Sequence, residues 1–261
     1  HYSTPYFTTM KLYLLLVLFG LSGCTSEWTV DLSNVNSVNN PVIQPTIQYA
    51  AWTNVRPGVD FKQVFVTEEL FDIVRINPSQ ADITVLVDEA APKTISEWQD
   101  TGDYSVVINA SYFDEQYELV TRTVADGQSF GPLLSGQTGS FTRQNEQWII
   151  TQETGALSTS GVQSYPMLVL AGAAQVKSDS TDTAQRTVVA VAADGLVYFI
   201  VSEYGGLTLT ELSAALASLT DPNITAALNF DGGTSTGLAI DGATVSYLDD
   251  SLIVPSVVAV R

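Results

Sequence analysis

The stretch Ala226-Ala227-Leu228-Asn229-Phe230-Asp231-Gly232-Gly233-Thr234-Ser235-Thr236-Gly237 carries an apolar, strand-like run into a carboxylate and then into glycine-rich backbone. Glycine reaches positive φ at little cost and lets a ligand approach the main chain. Thr234, Ser235 and Thr236 place hydroxyls and N–H groups beside Asp231, a mixture that suits anions and sugars. The same residues also spell a tight turn with a solvated aspartate, because Asp-Gly is a common link between two strands.

Outward from this turn, most of the chain reads as short strands. Downstream, strands are predicted over 238–240 and 254–260; upstream, 188–192 and 196–201 flank Ala193-Asp194-Gly195, a hairpin signal. Residues 207–219 return apolar side chains at three- and four-residue spacing, which predicts a helix. Further upstream, 62–67, 71–76 and 83–87 have strand-like lengths, broken by turn residues such as Asn77-Pro78-Ser79. Thr94-Ile95-Ser96-Glu97 fits a capping box that opens a short helix ending near Gly102, after which a strand over 105–108 delivers Asn109. Between 117 and 162 the sequence is polar and glycine-containing, as in hairpins and long loops. The fold class is therefore α+β: a mixed or largely antiparallel sheet with a few packed helices, in a single domain over 58–261.

Composition narrows the function. The chain has 261 residues, 45% hydrophobic and 10% aromatic, enough for a sizeable core. Its 28 acidic against 10 basic residues give a net charge of −18, which repels nucleic acid and anionic membrane surfaces. A phosphate-bearing ligand would need local donors, and Arg186 is the best placed in sequence. The single histidine, His1, leaves no base for serine hydrolase chemistry, and no zinc, calcium-loop, phosphate-loop or dinucleotide pattern occurs. No resident cofactor is expected, although Asp231 leaves room for a divalent cation.

At the start, Met10-Lys11, the apolar run 12–21 and Ser22-Gly23-Cys24 have the layout of a secretory signal, with translation expected from Met10. The ending Leu21-Ser22-Gly23-Cys24 resembles the bacterial lipoprotein signal, in which the cysteine is lipidated. An ordinary cleaved signal or a short anchor are the alternatives. The expected organisation is a signal segment over 1–24, a Ser-, Asn-, Thr- and Pro-rich tether over 25–57, with Trp52 marking where it docks, and the folded domain from 58. This places the protein in the bacterial cell envelope, at the periplasmic side or the cell surface, touching membrane only through the lipid. Cys24 is the only cysteine, so no disulfide is available.

Several segments, in order, resemble the phosphodiester glycosidases, the family typified by the lysosomal enzyme that removes N-acetylglucosamine from a mannose phosphodiester and including bacterial exopolysaccharide and envelope relatives. These segments are 106–113 (VVINASYF), 163–169 (QSYPMLV), Arg186-Thr187-Val188-Val189, 206–212 (GLTLTEL), the glycine-rich run and Val254-Pro255-Ser256-Val257, together spanning about 72–261. The resemblance implies hydrolysis of a sugar-1-phosphate diester, with a glycan or sugar phosphate as substrate. Two departures stand out. Ala110-Ser111 replace the pair of glycines usual after the asparagine, and Thr234 stands where a third glycine is common. A β-carbon at any of these would press on a ligand lying against the main chain.

The chemistry needs charge stabilisation at the anomeric carbon and a grip on the departing phosphate oxygen. Asp231 leads as catalytic carboxylate, with Glu211 second. Each also has a plain role, Asp231 in its turn and Glu211 in the capping box Thr208-Leu209-Thr210-Glu211. Arg186 can hold phosphate through two parallel hydrogen bonds or form a surface ion pair. Asn109, Tyr112, Gln163, Ser164, Gly232, Gly233, Thr234 and Ser235 complete the substrate-binding set. Asn109 otherwise satisfies a turn, Tyr112 otherwise joins the core, and Gln163 and Ser164 otherwise sit solvated in a loop. A binding module for phosphorylated or acidic envelope polysaccharide, using the same pocket without turnover, is the alternative function.

Overall fold

The computed structural model describes residues 47–261 apart from 137–138, 153–156, 158, 179–180, 243–246 and 249–251, all within the unit Gln44–Arg261. The signal segment, Cys24 and most of the expected tether lie outside the described residues.

The fold is α+β and mostly β, with its described strand pairs antiparallel. A nine-stranded sheet runs Ile47–Tyr49, Val59–Val66, Glu69–Ile76, Val197–Ser202, Thr187–Ala192, Ile224–Asn229, Met167–Leu170, Ala173–Ala174, with Thr53–Arg56 also paired to Val59–Val66. A five-stranded sheet orders Gln147–Thr151, Gly139–Gln144, Gly161–Ser164, Thr123–Ala125 and Gln128–Phe130. Another orders Tyr247–Leu248, Leu238–Ile240, Val106–Asn109, Ser256–Val260 and Ile83–Val87.

Alternation within strands explains why so many read as unbroken apolar runs. In Thr187–Ala192, Val189 faces the central core while Val188 and Ala190 face a second apolar layer on the other side of the same sheet. In Val106–Asn109, Val106 and Ile108 enter the central core, and Val107 packs in a third layer with Trp98 and Tyr104. Both helices serve these outer layers. Helix α1, Ile95–Asp100, begins at the expected capping box and buries Ile95 and Trp98, whose indole Nε1 donates to the Val254 carbonyl at 2.9 Å. Helix α2, Leu209–Ser218, begins at a second capping box and buries Leu212, Ala215 and Leu216 against the large sheet.

Strand pairing starts ahead of the boundary expected at 58. Ile47–Tyr49 and Thr53–Arg56 both line Val59–Val66, and a buried lysine holds this strap in place. Lys62 Nζ lies 2.7 Å from both the carbonyl and a carboxylate oxygen of Asp221, and over the rings of Trp52 at 4.2 Å and Tyr49 at 4.8 Å. Trp52 donates its own indole N–H to the same carboxylate at 3.2 Å. A charge so deeply placed is tolerable because a carboxylate and two π faces surround it.

Candidate active site

Three distant segments meet where strands of two sheets end. Phe230 N donates to the Thr187 carbonyl at 2.8 Å, Asp231 N to the Ala110 carbonyl at 3.0 Å and Gly233 N to the Gln185 carbonyl at 2.8 Å. These bonds set Asp231 between the segment carrying Arg186 and the segment carrying Asn109. A β-carbon on Gly232 would sit 2.8 Å from the Gln185 carbonyl and 3.6 Å from Arg186 Cδ, so only glycine lets the turn lie this close. Gly233 alone of the pair adopts positive φ, +62°, and opens onto free space. Thr234 beside it is exposed, while Ser235 is buried.

Asn109 joins the site as a tie between strands. It is 1% exposed, its Nδ2 donates to the Asp231 carbonyl at 2.7 Å, and its Oδ1 accepts from Thr187 Oγ1 at 2.6 Å and from Gly237 N at 3.1 Å. Asn229, two residues before Asp231, does comparable work and was not singled out by the sequence. Its Nδ2 donates to the Phe230 carbonyl and to Tyr112 Oη, both at 2.7 Å, and reaches the Tyr165 carbonyl at 3.2 Å. The Tyr112 hydroxyl in turn donates to the Tyr165 carbonyl at 3.1 Å. The two tyrosine rings stack with centroids 4.7 Å apart and planes 19° from parallel. Tyr165 is the outer ring.

The electrostatics single out Asp231. Burial pushes its carboxyl above the ordinary carboxylate range, and hydrogen bonds from the Ser235 hydroxyl and from Gly232 N–H, the latter at 2.9 Å, oppose that shift only in part. Burial, and then the charge of Asp231, raise the Tyr112 phenol, while Arg186 pulls it the other way. The phenol therefore feels both charged groups. Arg186 Nη2 donates to the Asp182 carbonyl at 3.1 Å, and among the described residues no carboxylate forms an ion pair with it. In a chain of net charge −18, a guanidinium without a carboxylate partner among the described residues has the chemistry to hold an anion.

The remaining candidates stand elsewhere or face inward. Gln163 and Ser164 lie in the buried strand Gly161–Ser164 rather than in a loop. Gln163 pairs through both amide atoms with the main chain of Leu134, at 2.8 and 2.9 Å, and Ser164 Oγ donates to the Asn229 carbonyl at 2.6 Å. Glu211 closes the α2 capping box, accepting from Thr208 N and Oγ1, both at 2.9 Å. The two departures after Asn109 are both buried and face inward. Ala110 packs in the central core, and Ser111 shares a 2.6 Å hydrogen bond with Thr123 Oγ1. Among the described residues no three His, Cys, Asp or Glu side chains group closely enough to hold a metal ion.

What the arrangement offers is a carboxylate of raised proton affinity, a guanidinium with no carboxylate paired to it among the described residues, and an aromatic stack, held by main-chain seams and two asparagines. The fold as a whole is similar to that of the zebrafish N-acetylglucosamine-1-phosphodiester α-N-acetylglucosaminidase catalytic domain, auto-inhibited by its pro-peptide, at 15% identity with a TM-score of 0.61 over 84% of this chain and 88% of that one. It is similar as well to the fold of a hypothetical protein from Synechocystis, at 16% identity with a TM-score of 0.53 over 83% of this chain and 68% of that one. No curated protein matches in sequence. The sequence pattern of the phosphodiester glycosidase family matches residues 102–261, more than half of the chain, and this protein belongs to that family.

Proposed function

We propose that the protein hydrolyses a glycosyl phosphodiester in the bacterial cell envelope, held there by a lipid on Cys24. One observation carries the catalytic reading: a burial-perturbed carboxylate, Asp231, and Arg186, which no carboxylate among the described residues pairs with, flank the same main-chain seam, Gly233 N to the Gln185 carbonyl. In the proposed reaction the bond between the anomeric carbon and the bridging phosphate oxygen breaks, with its electron pair leaving on a phosphomonoester. Arg186 holds the non-bridging oxygens through its planar fork and stabilises the charge that gathers there. Ionised Asp231 stabilises the positive charge at the anomeric carbon and takes a proton from the water that attacks it. A proton affinity above the ordinary carboxylate range makes ionised Asp231 a stronger base than an exposed aspartate. Asn109, Asn229 and the glycine turn act by positioning.

The test incubates the purified mature domain with synthetic sugar-1-phosphodiesters and follows release of the free sugar, beside Asp231→Asn and Arg186→Ala. Release by wild type that Asp231→Asn abolishes supports the hydrolase. Tight binding without release by any form overturns it in favour of a module that holds phosphorylated or acidic polysaccharide.

A further inference from the structure

We infer that Tyr165 is the sugar platform of this site, and that it selects a pyranosyl group over an acyclic polyol at the phosphate. The inference rests on the reading of the site given above. Tyr112, the aromatic residue nearest in sequence to Asn109, is half-buried, with its hydroxyl fixed between Asn229 Nδ2 and the Tyr165 carbonyl and one ring face covered by Tyr165. Tyr165 is different. One face rests on Tyr112 at 4.7 Å, and the side chain remains 39% exposed, one of few large apolar side chains so open among the described residues.

Its position is preset. The Tyr165 carbonyl accepts from both Tyr112 and Asn229, and Asn229 also donates to Phe230, the residue before Asp231. The platform is thus coupled by hydrogen bonds to the main chain that presents the carboxylate. A tyrosine already stacked loses little conformational freedom on binding, so its contact area converts efficiently into affinity. A pyranose presents a flat face of C–H groups that lies well on such a ring. A glycerol or ribitol chain has no such face, although its phosphate would engage Arg186 equally well.

The experiment titrates glucose 1-phosphate and glycerol 1-phosphate separately by calorimetry into wild type, Tyr165→Phe, Tyr165→Ala and Arg186→Ala. Wild type should prefer the sugar phosphate. Tyr165→Ala should weaken glucose 1-phosphate by about tenfold and leave glycerol 1-phosphate within twofold, Tyr165→Phe should behave as wild type, and Arg186→Ala should weaken both. Equal binding of the two ligands by wild type, no binding of glucose 1-phosphate, or unchanged glucose 1-phosphate binding by Tyr165→Ala overturns the inference. This outcome separates from failure of the hydrolytic reading: sugar selection by Tyr165 without turnover sinks only the hydrolase, and turnover with a KM indifferent to Tyr165→Ala sinks only the platform.

Discussion

Asn109 donates to the Asp231 carbonyl across 2.7 Å and accepts through its other amide atom from Thr187 and Gly237, so one side chain keeps the candidate carboxylate's segment in register with two neighbours. Asn109→Ala removes a buried partner from each of those groups and leaves their hydrogen-bonding capacity unmet. The expected cost is about 3 kcal/mol, or roughly 10 °C in Tm, measured by urea and thermal unfolding.

Asp231→Asn should trade activity for stability. The folded carboxyl binds its proton more tightly than the unfolded chain does, because burial penalises the charge. Its contribution to stability is therefore greatest below the unfolded value of 3.8 and is lost as pH rises through the folded pKa. Asparagine carries no charge at any pH and can still accept from Gly232 and Ser235. The variant should melt about 2 °C above wild type at pH 7, with the gap closing below pH 3.8, while turnover falls about 10³-fold. Melting curves across pH and single-substrate kinetics read both effects.

At Arg186 the shape of the cation should count as well as its charge. Lysine keeps the charge and loses the two-pronged geometry, so Arg186→Lys should raise KM about tenfold, and Arg186→Ala about a hundredfold. Competition by inorganic phosphate should weaken in parallel. Wild-type kinetics in Arg186→Lys would show that the fork is not used.

The two glycines of the turn should fail for different reasons. Gly232→Ala drives a β-carbon to 2.8 Å from the Gln185 carbonyl, which must move and take Arg186 with it. Gly233→Ala meets no atom but must hold φ near +62°, at a cost of about 1 kcal/mol. The first should impair both folding and catalysis; the second should lower Tm modestly and spare kcat.

Where local chemistry decides structure, the sequence reads plainly. The hairpin through Ala193-Asp194-Gly195, the strand Ile83–Val87 and both capping boxes stand where residue type and spacing put them. Other features depend on partners far along the chain. The turn between Gly139–Gln144 and Gln147–Thr151 uses Asn145 and Glu146 at positive φ, with no glycine to mark it. Ile47–Tyr49 sits in polar sequence and is held by Lys62 and Asp221, neither of which signals it locally. Asn109 is visible because it ends an apolar strand and Asp231 because it opens the glycine turn just after one, and Asn229 carries the first mark, a polar residue closing a buried run. Tyr165 gave no such sign, because its prominence comes from ring stacking against a residue 53 positions away.

The inward turn of Ala110 and Ser111 changes what those positions answer to. Replacing Ser111 by glycine would strand the Thr123 hydroxyl in the interior, so the two sites should covary along lineages for reasons of packing alone. Laboratory evolution toward a new substrate should accordingly leave that pair untouched and accumulate changes at Thr234, the one departure that looks out into solvent.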